Sequence, residues 1–215
     1  MLPLNRFIPA VVLVLFIFAA PIVRAADAPP STQPSSSIRG TVIAEGDVPL
    51  AEMVVFLESP DTARAMPPPP APIKVSQKDA QFSPKMVVVS VGQSVEFLND
   101  EARPIEHNVF SNSPAKRFDL GLYGPGQSKS VVFDKPGPVA LFCSIHRYMD
   151  GVVFVSPTPY TSRVNPDGHY QIDDVPPGNW IVKTWQRRKR FLEMSVPVTV
   201  EAEKIATVVL ELKKK

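Results

Sequence analysis

From residue 38 to the end, short apolar runs are separated by clusters of Gly, Pro, Asn and Asp, and no stretch has amphipathic-helix spacing. The pattern predicts strands at Ile38–Ile43 and Met53–Leu57 around a turn at Glu45–Asp47, which together read as a hairpin. Further strands follow at Met86–Val91 and Ser94–Leu98, either side of Gly92-Gln93, then at Glu106–Phe110 and Ser128–Phe133. Val139–Cys143 and Gly151–Val155 complete that group. Beyond Ser156-Pro157-Thr158-Pro159, strands are expected at His169–Asp173, Trp180–Trp185, Val196–Val200 and Ile205–Leu212. The expected class is all-β, built as sandwiches.

The spacing of these runs divides the chain. Residues 26–37 have linker composition and are expected to be disordered, and residues 61–72 form a Pro-rich linker that should be extended and stiff. Strand signals are dense over 73–156. A hairpin of two strands is marginal alone, and the tail after 160 lacks an obvious starting strand. One arrangement joins 38–60 and 160–213 into a discontinuous sandwich with 73–156 inserted in it. The other lays an unpaired N-terminal hairpin on the middle domain.

The N-terminus has a different character. Arg6 precedes an almost wholly apolar Ile8–Ala20, and Val23-Arg24-Ala25 offers a cleavage site, so residues 1–25 read as a signal peptide. The competing reading is an uncleaved, outward-facing anchor. The segment's shortness against the roughly 20 residues of a spanning helix, and Pro9 and Pro21 near its ends, weigh against that reading. An exported, periplasmic protein with no stable membrane insertion is expected. Removing residues 1–25 takes away Arg6 and Arg24 and leaves 21 basic against 21 acidic residues, so the charge gives no argument for nucleic acid. Arg187-Arg188-Lys189-Arg190 and Lys213–Lys215 read as a solvated loop and a frayed tail.

There is one cysteine, Cys143, and an unpaired thiol in an oxidising compartment has to be buried or bound to a metal. It lies in Leu141-Phe142-Cys143-Ser144-Ile145-His146-Arg147-Tyr148-Met149, with His107 36 residues upstream. A thiolate, two imidazoles and a thioether are the ligand set of a blue-copper site, and together they serve both Cu(I) and Cu(II). Cys143 ends a strand, and His146 and Met149 each follow three residues on, so the loop can curl back on one point that His107 reaches from another strand. Taken singly, each residue has an ordinary reading as core or surface. Zinc is the chemical rival, but the only spare imidazole is His169, which lies in a turn of the other unit and reads as exposed.

Cys-x-x-His-x-x-Met with an upstream His107-Asn108-Val109 resembles the plastocyanin/amicyanin cupredoxins, the short His-to-Met spacing being closest to amicyanin. Phe82-Ser-Pro-Lys-x-Val-x-Val-x-x-Gly-x-x-Val-x-Phe-x-Asn-Asp100 resembles their first strands. Ser113-Pro-Ala-Lys-Arg-Phe-Asp-Leu-Gly-Leu-Tyr-Gly-Pro-Gly126 resembles exported methylamine-utilisation proteins. The resemblance implies a Greek-key sandwich with one copper ion on His107, Cys143, His146 and Met149. It also implies a tie from Asn108 to the Cys143-Ser144 loop. Arg147 and Tyr148 depart from the apolar, proline-containing pair of amicyanin; with His146 they form the expected partner face, where a cation would alter partner choice and raise the potential. Ile38-x-Gly-x-Val, Asp167-Gly-His-Tyr-x-Ile and Val175-Pro-Pro-Gly-x-Trp-x-Val resemble the carboxypeptidase regulatory-like, transthyretin-like sandwich.

Three functions fit these residues. One is one-electron transfer by a monomer to a redox protein, another a copper carrier without redox work. The third is a surface interaction or carbohydrate-binding module using Phe118, Tyr123, Trp180 and Trp185, with the metal incidental. No Ser/His/acid set, telling acid pair or Gly-rich phosphate loop points to an enzyme.

Overall fold

The alternation seen in the sequence becomes sixteen strands in a computed structural model that describes residues 36–46, 50, 52–67 and 69–215. The expected signal peptide and nearly all of the 26–37 linker lie outside the described residues. The chain is all-β, with no helix among the described residues. In chain order the strands are β1 (Ser37–Ala44), β2 (Met53–Glu58), β3 (Ile73–Lys78), β4 (Gln81–Ser83), β5 (Met86–Ser90), β6 (Ser94–Asn99), β7 (Phe110–Ser113) and β8 (Lys116–Asp119). Then come β9 (Ser128–Val132), β10 (Gly137–Phe142), β11 (Asp150–Ser156), β12 (Thr161–Arg163), β13 (His169–Ile172), β14 (Gly178–Gln186), β15 (Ser195–Val200) and β16 (Ile205–Leu212).

Four sheets result. The middle of the chain gives β4-β3-β6-β9 and β5-β11-β10-β7-β8, and its two ends give β13-β1-β16 and β12-β2-β14-β15. In β6 the alternation is regular, with Val95, Phe97 and Asn99 inward and Ser94, Glu96 and Leu98 less buried. Phe82, Phe97, Phe133, Val139 and Leu141 fill the core of the middle sandwich, and Ile38, Leu57, Trp180, Val182 and Leu210 fill that of the flanking one. Gly40 is required by close approach. A Cβ there would lie 1.8 Å from the Val208 carbonyl, the group to which the Tyr170 hydroxyl donates.

The expected hairpin at 38–58 does not form. β1 pairs with β13 and, in parallel, with β16, whereas β2 pairs with β12 and β14 in the opposite sheet. β5 and β6 likewise diverge across Gly92-Gln93, β5 joining β11 and β6 joining β3 and β9. A short connection can turn a corner between sheets as readily as it closes a hairpin, and neither Glu45-Gly46 nor Gly92-Gln93 distinguishes the two. The described residues of the Pro-rich segment form no strand or helix, but Arg64 sits over the Trp180 ring, 4.5 Å from its centroid, and the Gln93 amide donates to the Ala71 carbonyl.

A third apolar layer joins the two sandwiches. Val54, Phe56 and Trp185 from the flanking sandwich meet Met86, Val152 and Phe154 from the middle one. Phe154 stacks on Trp185 with centroids 4.6 Å apart and an interplanar angle of 16°, and Phe56 tilts against Phe154 at 5.1 Å. This is why β2 and β11 are buried on both faces. Alternate residues of each serve their own core, and the rest serve the shared layer.

Candidate metal centre

The fold delivers the four expected donors from two segments. β10 ends at Phe142, Asp150 opens β11, and these two residues are register partners, so residues 143–149 form the loop between paired strands. His107 lies in the segment before β7, held by reciprocal backbone bonds with Tyr123 of 3.1 and 2.9 Å. Asn99 fixes the approach to it by donating to the Ile105 and Tyr123 carbonyls, both at 2.9 Å. Beneath Tyr123, whose hydroxyl donates to the Phe97 carbonyl, the side chain of Gln77 is bonded to that hydroxyl. Burial raises the Tyr123 pKa to about 12, so the phenol stays neutral.

His107, Cys143 and His146 come together, their donor atoms all within 4.8 Å of one another. Cys143 Sγ is 4.0 Å from His107 Nδ1 and 3.6 Å from His146 Nδ1. Donors bound to a single ion by bonds of about 2.0–2.3 Å in a near-trigonal array stand roughly 3.5–4 Å apart, so the triangle has the size of a metal site. The two imidazole rings are 4.7 Å apart between centroids. His107 is fully buried, His146 half-buried, and Met149 is 1 % exposed, in the same apolar cluster as Cys143. The turn closes with the Met149 amide donating to the His146 carbonyl at 2.9 Å. The thiol, paired imidazoles and buried thioether suit copper in both oxidation states.

Glu101 carries no signal in the sequence. Its carboxylate is buried, accepts the Asp79 amide at 2.7 Å and lies 3.0 Å from His107 Nε2. A carboxylate there keeps the imidazole proton on Nε2 and leaves Nδ1 with its lone pair toward the thiol. The bond with His107, seconded by the Asp79 amide, holds the Glu101 carboxyl below its ordinary value of 4.5 despite burial. The His146 imidazole is pushed below 6.5, first by burial and then by neighbouring His107, which favours the neutral, ligating form. A lone acid in a loop six residues before a histidine looks like solvated charge, so only the fold reveals the pair.

The Ser144 amide donates to Asn108 Oδ1 at 2.7 Å, and Asn108 Nδ2 donates to Asp119 Oδ1 at 2.8 Å. Asn108 thus links the two ligand segments to β8. Arg147 is exposed and Tyr148 is 89 % exposed, the two residues between His146 and Met149. His169 is exposed and bonds Thr41 in the flanking sandwich, outside the cluster. Tyr123, Trp180 and Trp185 are buried and Phe118 is half-buried, so they offer no aromatic platform at the surface.

Residues 71–156 match the family model of copper binding proteins of the plastocyanin/azurin family. The chloroplastic plastocyanin of Physcomitrium patens is 37% identical over 86 residues, an overlap of 35% of this chain; the chain spans about half the length of that protein. Among solved structures, a purple cupredoxin from Nitrosopumilus maritimus overlaps 39% of this chain and 99% of its own, with 24% identity and a TM-score of 0.35. A reduced amicyanin variant overlaps 47% and 99%, with 21% identity and a TM-score of 0.36. A copper-containing nitrite reductase from Thermus scotoductus overlaps 53% of this chain and 28% of its own, with 26% identity and a TM-score of 0.38. The sequence matches carry the likeness: residues 71–156 are similar to copper binding proteins of the plastocyanin/azurin family, a class whose members bind one copper ion.

Proposed function

We propose that this domain carries single electrons between redox partners, holding one copper ion with His107, Cys143, His146 and Met149. The observation that carries the reading is the triangle of thiol and two Nδ1 atoms within 4.8 Å, with the buried His107 already oriented by Glu101. Bound copper would supply a couple between its +1 and +2 states. Glu101 holds the Nε2 proton of His107, and Asn108 keeps Ser144, and with it Cys143, against the His107 segment. A framework fixed in this way limits how far the ligands move on electron gain or loss. His146 is the half-buried donor, so its edge is the exit toward a partner, with Arg147 and Tyr148 as contacts beside it.

Residues 1–25 are proposed to direct export to the periplasm. Residues 38–60 and 160–213 are proposed to be a carboxypeptidase regulatory-like sandwich in which the copper domain is inserted. The pairing of β1 and β2 with β12, β13, β14 and β16 supports that division. The protein is read as a non-enzyme acting as a monomer.

Adding Cu(II) to the mature protein should give an intense band near ~600 nm, the signature of a copper–thiolate bond in this ligand set. Cys143→Ala should abolish it. A colourless wild type would refute the reading. Rapid loss of copper to an apo-acceptor, without reversible electron exchange, would instead indicate a copper carrier.

A further inference from the structure

Arg187 opens the run that reads in sequence as a solvated basic loop, yet its side chain is only 22 % exposed. It lies just past β14, in the flanking sandwich. Its amide donates to the Glu52 carbonyl at 3.2 Å, and its Nη1 to Glu52 Oε1 at 2.6 Å, so both ends of the residue are held within that sandwich. Its Nη2 reaches across to the carboxylate of Asp150 in the copper domain. Asp150 follows Met149 directly and, opposite Phe142, forms the last rung before the ligand loop.

An ordinary surface ion pair contributes little, because two long side chains must be ordered against water. Here the guanidinium is already ordered by Glu52, and its planar fork serves two carboxylates at once. Between its buried ends, Cys143 and Met149, the loop it meets has few other restraints. Ile145 is 53 % exposed and Tyr148 more so, which leaves the middle of residues 143–149 largely unpacked. One end of the loop is tied by Asn108 to Ser144, and the other by the turn bond at Met149 and by Asp150. The fixed ends therefore decide where the loop lies. The clamp lines an open cleft of about 670 Å³ between the sandwiches, beside Lys85, Arg188 and Arg190.

We propose that Arg187 is a positioning residue for the metal loop: through Asp150, the flanking sandwich sets the seat of Met149. This rests on the copper reading of His107, Cys143, His146 and Met149. A thioether donor is one of the groups by which a protein tunes such a site, so the flanking sandwich would act on the properties of the ion without touching it.

The test uses the full chain with Arg187→Ala, Arg187→Lys, Asp150→Asn and the Arg187→Ala/Asp150→Asn double variant. In the metal-free protein, amide exchange at Met149, Asp150 and Gly151 should be about tenfold faster in Arg187→Ala and in Asp150→Asn. Arg187→Lys, which keeps the charge but loses the fork, should fall between these and the wild type. In the copper-loaded protein, both single variants should alter the visible spectrum and shift the potential in the same direction. The double variant should be no worse than either. If Arg187 acted only as a charge, its removal would lower the potential, Asp150→Asn would raise it, the shifts would add and the spectrum would stay unchanged. That result, or unchanged amide exchange, would overturn the proposal. A wild type that takes up no copper would sink the copper reading instead, while faster exchange would still show the loop held by Arg187.

Discussion

Glu101 and His107 are six residues apart, and their pairing closes a loop whose only buried charge is this carboxylate. Replacing it by Gln keeps the shape and an acceptor for the Nε2–H but removes the charge, and one amide hydrogen pair is left needing partners. We expect Glu101→Gln to cost about 1–3 kcal/mol of metal-free stability by denaturant unfolding. Copper affinity should fall about 10- to 100-fold in a competition titration, the usual cost of losing a ligand's supporting partner. The pH profile gives an internal check. The Glu101 pKa is lowered on folding, so its contribution is fully present above 4.5 and is lost as pH falls through the lowered value. The wild type should lose that increment of stability on acidification, and Glu101→Gln should not. A variant with wild-type affinity and an unchanged acid limb would refute this role. The candidate donors stand out in the sequence because three of them share one short run around the only cysteine, and because a thiol, imidazoles and a thioether together are chemically specific. Glu101 and Arg187 were not, since each looks like solvated charge until the fold supplies its partner.

Strand positions could be read from alternation, but the partners of those strands could not. The sequence places β1 and β2 as neighbours, whereas the structure puts them in opposite sheets. The useful signal was that Met53–Leu57, Met86–Val89 and Val152–Val155 are continuous apolar runs, the mark of strands covered on both faces. Those runs supply most of the layer between the sandwiches, and Trp185 completes it with an indole Nε1 that is buried without a hydrogen-bond partner. Trp185→Ala should cost about 3–5 kcal/mol in unfolding free energy, because it empties the stack on Phe154. Trp185→Phe keeps an aromatic ring and removes the orphaned donor, so its cost should stay below about 1.5 kcal/mol. Equal losses for the two variants would show that ring stacking is not what holds the layer together.

At the level of the whole molecule, the two sandwiches communicate through that apolar layer, through Arg187 and through Arg163, whose guanidinium donates to the Met86 carbonyl. Composition showed Pro-rich stretches on either side of a dense run of strands, and left open how the outer segments pair. The mutual dependence of the two sandwiches was not readable, because it rests on side chains that meet only after both have folded.

The pairing of Phe56 in β2 with Thr161 in β12 joins residues more than a hundred positions apart. Bringing such distant residues together through a disordered chain is slow and entropically unfavourable, whereas a folded insert delivers its two ends ready placed. The middle domain should therefore fold first, as native-state exchange followed during refolding would reveal by early protection of β10 and β11 ahead of β2 and β14. On that order of events the ligand loop exists before Arg187 arrives to hold it. A newly made chain would then meet a metal ion with a pliable loop, and completion of the outer sandwich would be the step that sets the loop in its final form.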